Sequence, residues 1–120
     1  MPVTGIDAIY YSIADLEAEK SFYTELLGSA PAFEWPGRLC EWTFSDGHAF
    51  GLYKTEGKER ASSGSAMFAV ADVPAAVAEA RKRGVTFHDN GEVTDTPACQ
   101  MAFGEDPEGH QFILHMRKPA

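Results

Sequence analysis

The chain has 120 residues, a length suited to one domain that hides roughly two thirds of its unfolded surface on folding. Hydrophobic residues make up 44% and aromatics 12%, which excludes a disordered segment, and no apolar run reaches the roughly 18 residues of a membrane span. The net charge of −8, from ten basic and eighteen acidic side chains, disfavours nucleic acid as a partner, because only Arg81-Lys82-Arg83 and Arg117-Lys118 are grouped.

In chain order, the start MPVTGIDAIYYS has neither the basic region nor the apolar stretch of a signal peptide. With only Cys40 and Cys99 present, reduced thiols and a cytoplasmic location are expected. The strand-like run AIYYSIAD leads into a helix that Asp15 caps. Leu16, Phe22, Tyr23, Leu26 and Leu27 supply its apolar stripe, and Gly28 stops it. Three β-rich runs follow: APAFEW, RLCEWTFS and HAFGLYKT, separated by a Pro-Gly and an Asp-Gly turn. TEGKERASSGS is polar and reads as a linker, at about 56–64.

The pattern then recurs. AMFAVAD leads into a helix capped by Asp72, with Pro74 in its first turn, Val73, Ala76, Val77 and Ala80 on one face, and Gly84 as stop. VTFHD, an Asn90-Gly91 turn with EVTDTP, ACQMAFGE, and HQFILHM after a DPEG turn complete it. The capping aspartates stand 57 residues apart, nearly half the chain, so the sequence is an internal duplication. The expected fold is α+β, two tandem βαβββ modules at about 5–56 and 65–117. Each helix covers one sheet face, and the other faces are free to meet around a central cleft.

The segment GEDPEGHQFILHM, residues 104–116, gathers three carboxylates and two histidines. Pro107 fixes φ and Gly109 accepts a positive φ, so DPEGH reads as a tight turn with Asp106 accepting backbone hydrogens and His110 solvated. The segment lacks a histidine pair at i, i+4 with an intervening acid. His48 reads as a hairpin residue, and His88 has no obvious partner.

ADLEAEKSFYTELLG (14–28), FAVADVPAAVAEARKRGVTF (68–87) and DPEGHQFIL (106–114), in this order and at duplicated spacing, make the chain resemble the vicinal oxygen chelate superfamily, also called the glyoxalase/bleomycin resistance/dioxygenase superfamily. The resemblance implies metal ligands seven residues before each capping aspartate, on the fourth strand, and seven residues after the aspartate of the DPxG turn. Those positions hold Ala8, Ser65, Gly51 and Ile113, none of them a competent ligand for a divalent cation. The expectation is no metal and no cofactor, as in the family's metal-free branch with its drug-sequestering members.

Parity with these four positions places Tyr10, Ser12, Ala49, Tyr53, Met67, Ala69, Gln111 and His115 on the cleft side. Ile9, Tyr11, Ile13, Phe68, Val70, Phe112 and Leu114 fall on the helix-covered side. Trp35 and Trp42 are candidates for stacking, with core packing the alternative, and at least one of Glu34 and Glu41 is expected to face the cleft. Candidate ligand-binding residues are therefore Tyr10, Ser12, Trp35, Glu41, Trp42, Tyr53, Met67, Gln111, Ile113 and His115. The expected function is metal-independent sequestration of a small aromatic or cationic compound by a homodimer. The alternative is a glyoxalase- or dioxygenase-like lyase or oxidoreductase, using a non-standard metal site or His115 in acid–base chemistry.

Overall fold

The computed structural model describes residues 6–55 and 65–119, and the linker expected at about 56–64 lies outside them. The chain divides into two compact units, Met1–Ala61 and Ser62–Ala120, and in each one helix packs on one sheet. No helix among the described residues is long and apolar enough to cross a membrane.

Unit 1 runs β1 (Ala8–Ile13), α1 (Leu16–Leu27), β2 (Phe33–Trp35), β3 (Leu39–Thr43) and β4 (Ala49–Lys54). The Asp15 side chain accepts the Ala18 amide at 3.1 Å, which starts α1, and Gly28 ends it at φ 81°, donating its own amide to the Thr24 carbonyl. The strand order is β1-β4-β3-β2, with β1 parallel to β4 and the other pairs antiparallel.

Alternation sends Tyr11, Ile13, Cys40, Trp42, Phe50 and Leu52 to one face, where all are buried. Tyr23 of α1 meets this face, its ring centroid 4.8 Å from that of Phe50 and 6.2 Å from that of Trp42. Burial pushes the Cys40 thiol up to about 11, so it is an unreactive core group.

Unit 2 runs β5 (Ala66–Ala69), α2 (Val73–Lys82), β6 (Thr86–Phe87), a 3-10 turn (His88–Gly91), β7 (Thr94–Asp95), β8 (Cys99–Glu105) and β9 (Gln111–Arg117). Asp72 caps α2 through the Ala75 amide at 3.0 Å. The strand order is β5-β9-β8-β6, with β7 also on β8 and β5 parallel to β9. Phe68, Phe87, Ala102, Phe112 and Leu114 are buried on one face of this sheet, and Val73, Val77 and Ala80 are the buried positions of α2. Gly104 makes room for Phe112: a Cβ there would stand 2.6 Å from its Cζ.

The strand expected in VTFHD keeps two residues. Asp89 and Asn90 turn the backbone left-handed at φ 53° and 56°, a conformation these side chains tolerate, and Arg81 donates to the Asn90 carbonyl at 2.8 Å. The expected Asn90-Gly91 turn is present, as the end of the His88–Gly91 turn.

DPEGH forms the expected turn. One Asp106 oxygen accepts the amides of Glu108 and His110 at 2.9 and 2.8 Å, and Gly109 sits at φ 87°. His110 departs from the solvated position expected of it. It is buried, with Nδ1 3.0 Å from the second Asp106 oxygen. The carboxylate that organises the turn also draws the imidazole back over it. We expect His110→Ala to lower unfolding free energy by about 1–3 kcal/mol in urea titrations, since a buried hydrogen bond is lost. His48→Ala, which removes an exposed ring from beside Asp46, should stay within about 0.5 kcal/mol of the parent.

Candidate functional site

Each sheet has a second face, and the side chains that carry chemistry stand there. In unit 1 the register aligns Tyr10, Gly51, Glu41 and Phe33 in one row across four strands, with Ser12, Tyr53, Leu39 and Trp35 in the next. Tyr10, Phe33, Trp35 and Tyr53 are large exposed side chains, from 36% for Tyr10 to 55% for Phe33.

Glu41 is the charged residue of the first row. The Tyr10 hydroxyl donates to its Oε1 at 2.5 Å. The Tyr10 ring reaches it by crossing Gly51, over which any Cβ would lie 2.4 Å from the tyrosine Cζ. Partial burial, then the Glu41 hydrogen bond and charge, push the Tyr10 phenol up to about 12. Among the described residues no cationic side chain pairs with Glu41. The Tyr53 ring stands 6.4 Å from that of Tyr10, tilted by 48°, and the Arg38 guanidinium lies 5.0 Å from the centre of the Trp35 ring.

Two candidates separate from this group. Trp42 points to the opposite face, 1% exposed, where its indole nitrogen donates to the Ser29 carbonyl at 2.8 Å. The core took it because its parity is that of Cys40, not Glu41. Glu34 likewise faces away and pairs with Lys20 at 2.9 Å, which leaves Glu41 as the carboxylate of the open face.

In unit 2 the corresponding face carries Met67 and Ala69 of β5, Gln111, Ile113 and His115 of β9, and Cys99, Met101, Phe103 and Glu105 of β8. Gln111 donates to the Ser65 hydroxyl at 2.7 Å. Ile113 is buried, Met67 is exposed, and His115 is half-buried with no side-chain partner among the described residues. Phe33, Arg38, Met101 and Phe103 escaped the sequence reading. The alternation in AFEW and CQMAFGE was visible, but which parity faced outward needed the pairing to β3 and β9.

Comparison with known proteins bears on this arrangement. The model of the Glyoxalase/Bleomycin resistance protein/Dioxygenase superfamily matches residues 5–114. The chain belongs to that superfamily. Among solved structures, a putative glyoxalase family protein from Bacillus anthracis is 18% identical, with a TM-score of 0.77 and 98% of each chain covered. A glyoxalase/bleomycin resistance protein from Catenulispora acidiphila is 20% identical at a TM-score of 0.75, over 96% of this chain and all of that one. Lactoylglutathione lyase from Agrobacterium tumefaciens is 14% identical at 0.73, over 97% and 96%. At these identities the likeness is one of fold. Comparison with curated proteins returns no match.

The superfamily includes metal-dependent enzymes, so the residues at the implied ligand positions are the test. Ala8 and Ile113 offer no donor atom, the space over Gly51 holds the Tyr10 ring, and the Ser65 hydroxyl is engaged by Gln111. These four residues do not fit a divalent cation.

The raised Tyr10 pKa gives a measurable signature. Tyr10 should bind its proton up to about pH 12, so its share of stability is complete below the ordinary tyrosine value of about 10 and is lost between there and 12. Ultraviolet titration of the phenolates, with Tyr10→Phe as the subtraction, should isolate this late step. Glu41→Gln should bring it to lower pH by removing the negative charge beside the phenol. A Tyr10 step that ignores the substitution would show that Glu41 does not hold the phenol.

Proposed function

We propose that this member of the superfamily binds and sequesters a small aromatic cation without a divalent metal. One observation carries the reading: Glu41, with no cationic partner among the described residues, stands on an open sheet face among Tyr10, Tyr53, Phe33 and Trp35. A half-buried carboxylate attracts an ammonium group, and exposed rings offer faces to a flat or cationic molecule. The net charge of −8 draws cations toward the surface. Ser12 and Tyr53 would add polar contacts at the edge of the same face. Met67, Gln111, Ile113 and His115 present a mixed apolar and polar face on the second unit that suits the same class of ligand.

Thermal-shift screening against aromatic amines and matched neutral analogues, followed by calorimetry, tests this. The amines should raise Tm and the neutral analogues should not. Glu41→Gln should weaken binding by roughly 1–3 kcal/mol, the scale of a hydrogen bond to a charged group. Equal affinity for neutral analogues, or an unaffected Glu41→Gln variant, would remove the cationic part of the proposal. Turnover of a 2-oxoaldehyde–thiol adduct or a catechol would support the alternative enzymatic reading instead.

We further propose that the functional form is a homodimer. Among the described residues, strands β1, β2 and β5 lie at sheet edges, and unpaired strand edges invite a second chain. Light scattering at micromolar concentration should give twice the chain mass, and a monomer would refute it.

A further inference from the structure

The open face of unit 2, which shares His115 with the face proposed for an organic cation, also carries a donor set that such a ligand does not require. His115 on β9 is flanked by sulfur. Met101 of β8 is its direct cross-strand partner, and Ala69 of β5, small enough to leave space, is its partner on the other side. Cys99 pairs with Arg117 and Met67 with Ile113, each two residues from His115 along β9, so both lie diagonally from it on the same face. Direct neighbours on one sheet face bring their Cβ atoms to about 5 Å, and diagonal ones stay within reach of long side chains.

The partners of these groups are few. The imidazole has no hydrogen-bond or ion-pair partner among the described residues. Among the described residues, the Cys99 thiol has the Thr96 hydroxyl, at 3.4 Å, as its one hydrogen-bond partner. Cys99, Met101 and His115 are all half-buried, shielded from bulk water yet open to an ion.

We propose that Cys99, Met101 and His115 bind a soft monovalent metal ion, Cu(I), on the open face of the second unit. Thiolate, thioether and imidazole are the donors that select cuprous copper, which accepts two or three ligands in a plane. The divalent cations used elsewhere in the superfamily prefer harder oxygen and nitrogen sets, and the carboxylate on the β8 part of this face, Glu105, lies four residues beyond Met101 and faces His88. Thiolate formation on binding releases the Cys99 proton to solvent, with no change in the metal's oxidation state.

The test is anaerobic titration of the protein with Cu(I) against bathocuproine disulfonate, with Ag(I) as an air-stable check. The expected result is transfer of a single ion, with an X-ray absorption spectrum showing mixed sulfur and nitrogen ligation. Met101→Leu and His115→Gln should each lower affinity at least about tenfold, since even changes outside a coordination sphere cost 10- to 100-fold. Met101→Leu conserves side-chain volume, so an unchanged Tm identifies the loss as one of ligation. No copper taken from the chelator, or sulfur-only binding that survives both variants and vanishes with Cys99→Ser, overturns the proposal. Binding of aromatic amines is read separately, through Glu41→Gln in the first unit, so failure of that reading and failure of copper binding are distinguishable.

Discussion

A single helix can cover only one face of a sheet, and the molecule's chemistry follows from that limit. Side chains alternate along a strand, so covering one face buries every second residue and leaves the other set open. In unit 1 the covered set is Tyr11, Ile13, Cys40, Trp42, Phe50 and Leu52, an aromatic core closed by Tyr23. The open set is Tyr10, Ser12, Glu41, Tyr53, Phe33 and Trp35. Exchanging the two sets by a one-residue slip would bury Glu41 and expose Phe50, which makes the register costly to change.

Within the open set, Gly51 decides the geometry. It removes the side chain from the row between Tyr10 and Glu41, and the phenol ring then spans the gap to the carboxylate. The same position is where the superfamily's metal-dependent members are expected to carry a ligand. With glycine at 51, the Tyr10 ring occupies the space that any side chain at this position would need. In unit 2 the Ser65 hydroxyl accepts a hydrogen bond from Gln111.

The turn before β9 shows how a carboxylate cluster can serve structure. Asp106 holds two backbone amides with one oxygen and the His110 ring with the other. The sequence reads it as a turn organiser, and its geometry is that of one, launching the strand that carries Ile113 and His115.

Much of the fold was legible in the sequence because its signals are local. A capping aspartate needs only the three residues after it, a glycine stop needs only its own φ, and alternation needs only one strand, so the two helices and the duplicated order could be read directly. What required the tertiary structure was every property set by a partner distant in the chain. Trp42 and Glu41 are adjacent, and nothing local says which faces the helix; pairing of β3 with β4 decides it. The burial of His110, the shortening of the strand after α2, and the placing of Met101 beside His115 likewise depend on contacts or backbone geometry outside the local pattern. Sequence by itself determined which elements form and which residues alternate. For β2, β3 and β8 the structure decided which alternate faces outward, because strand pairing and the covering helix distinguish the two sides of a sheet.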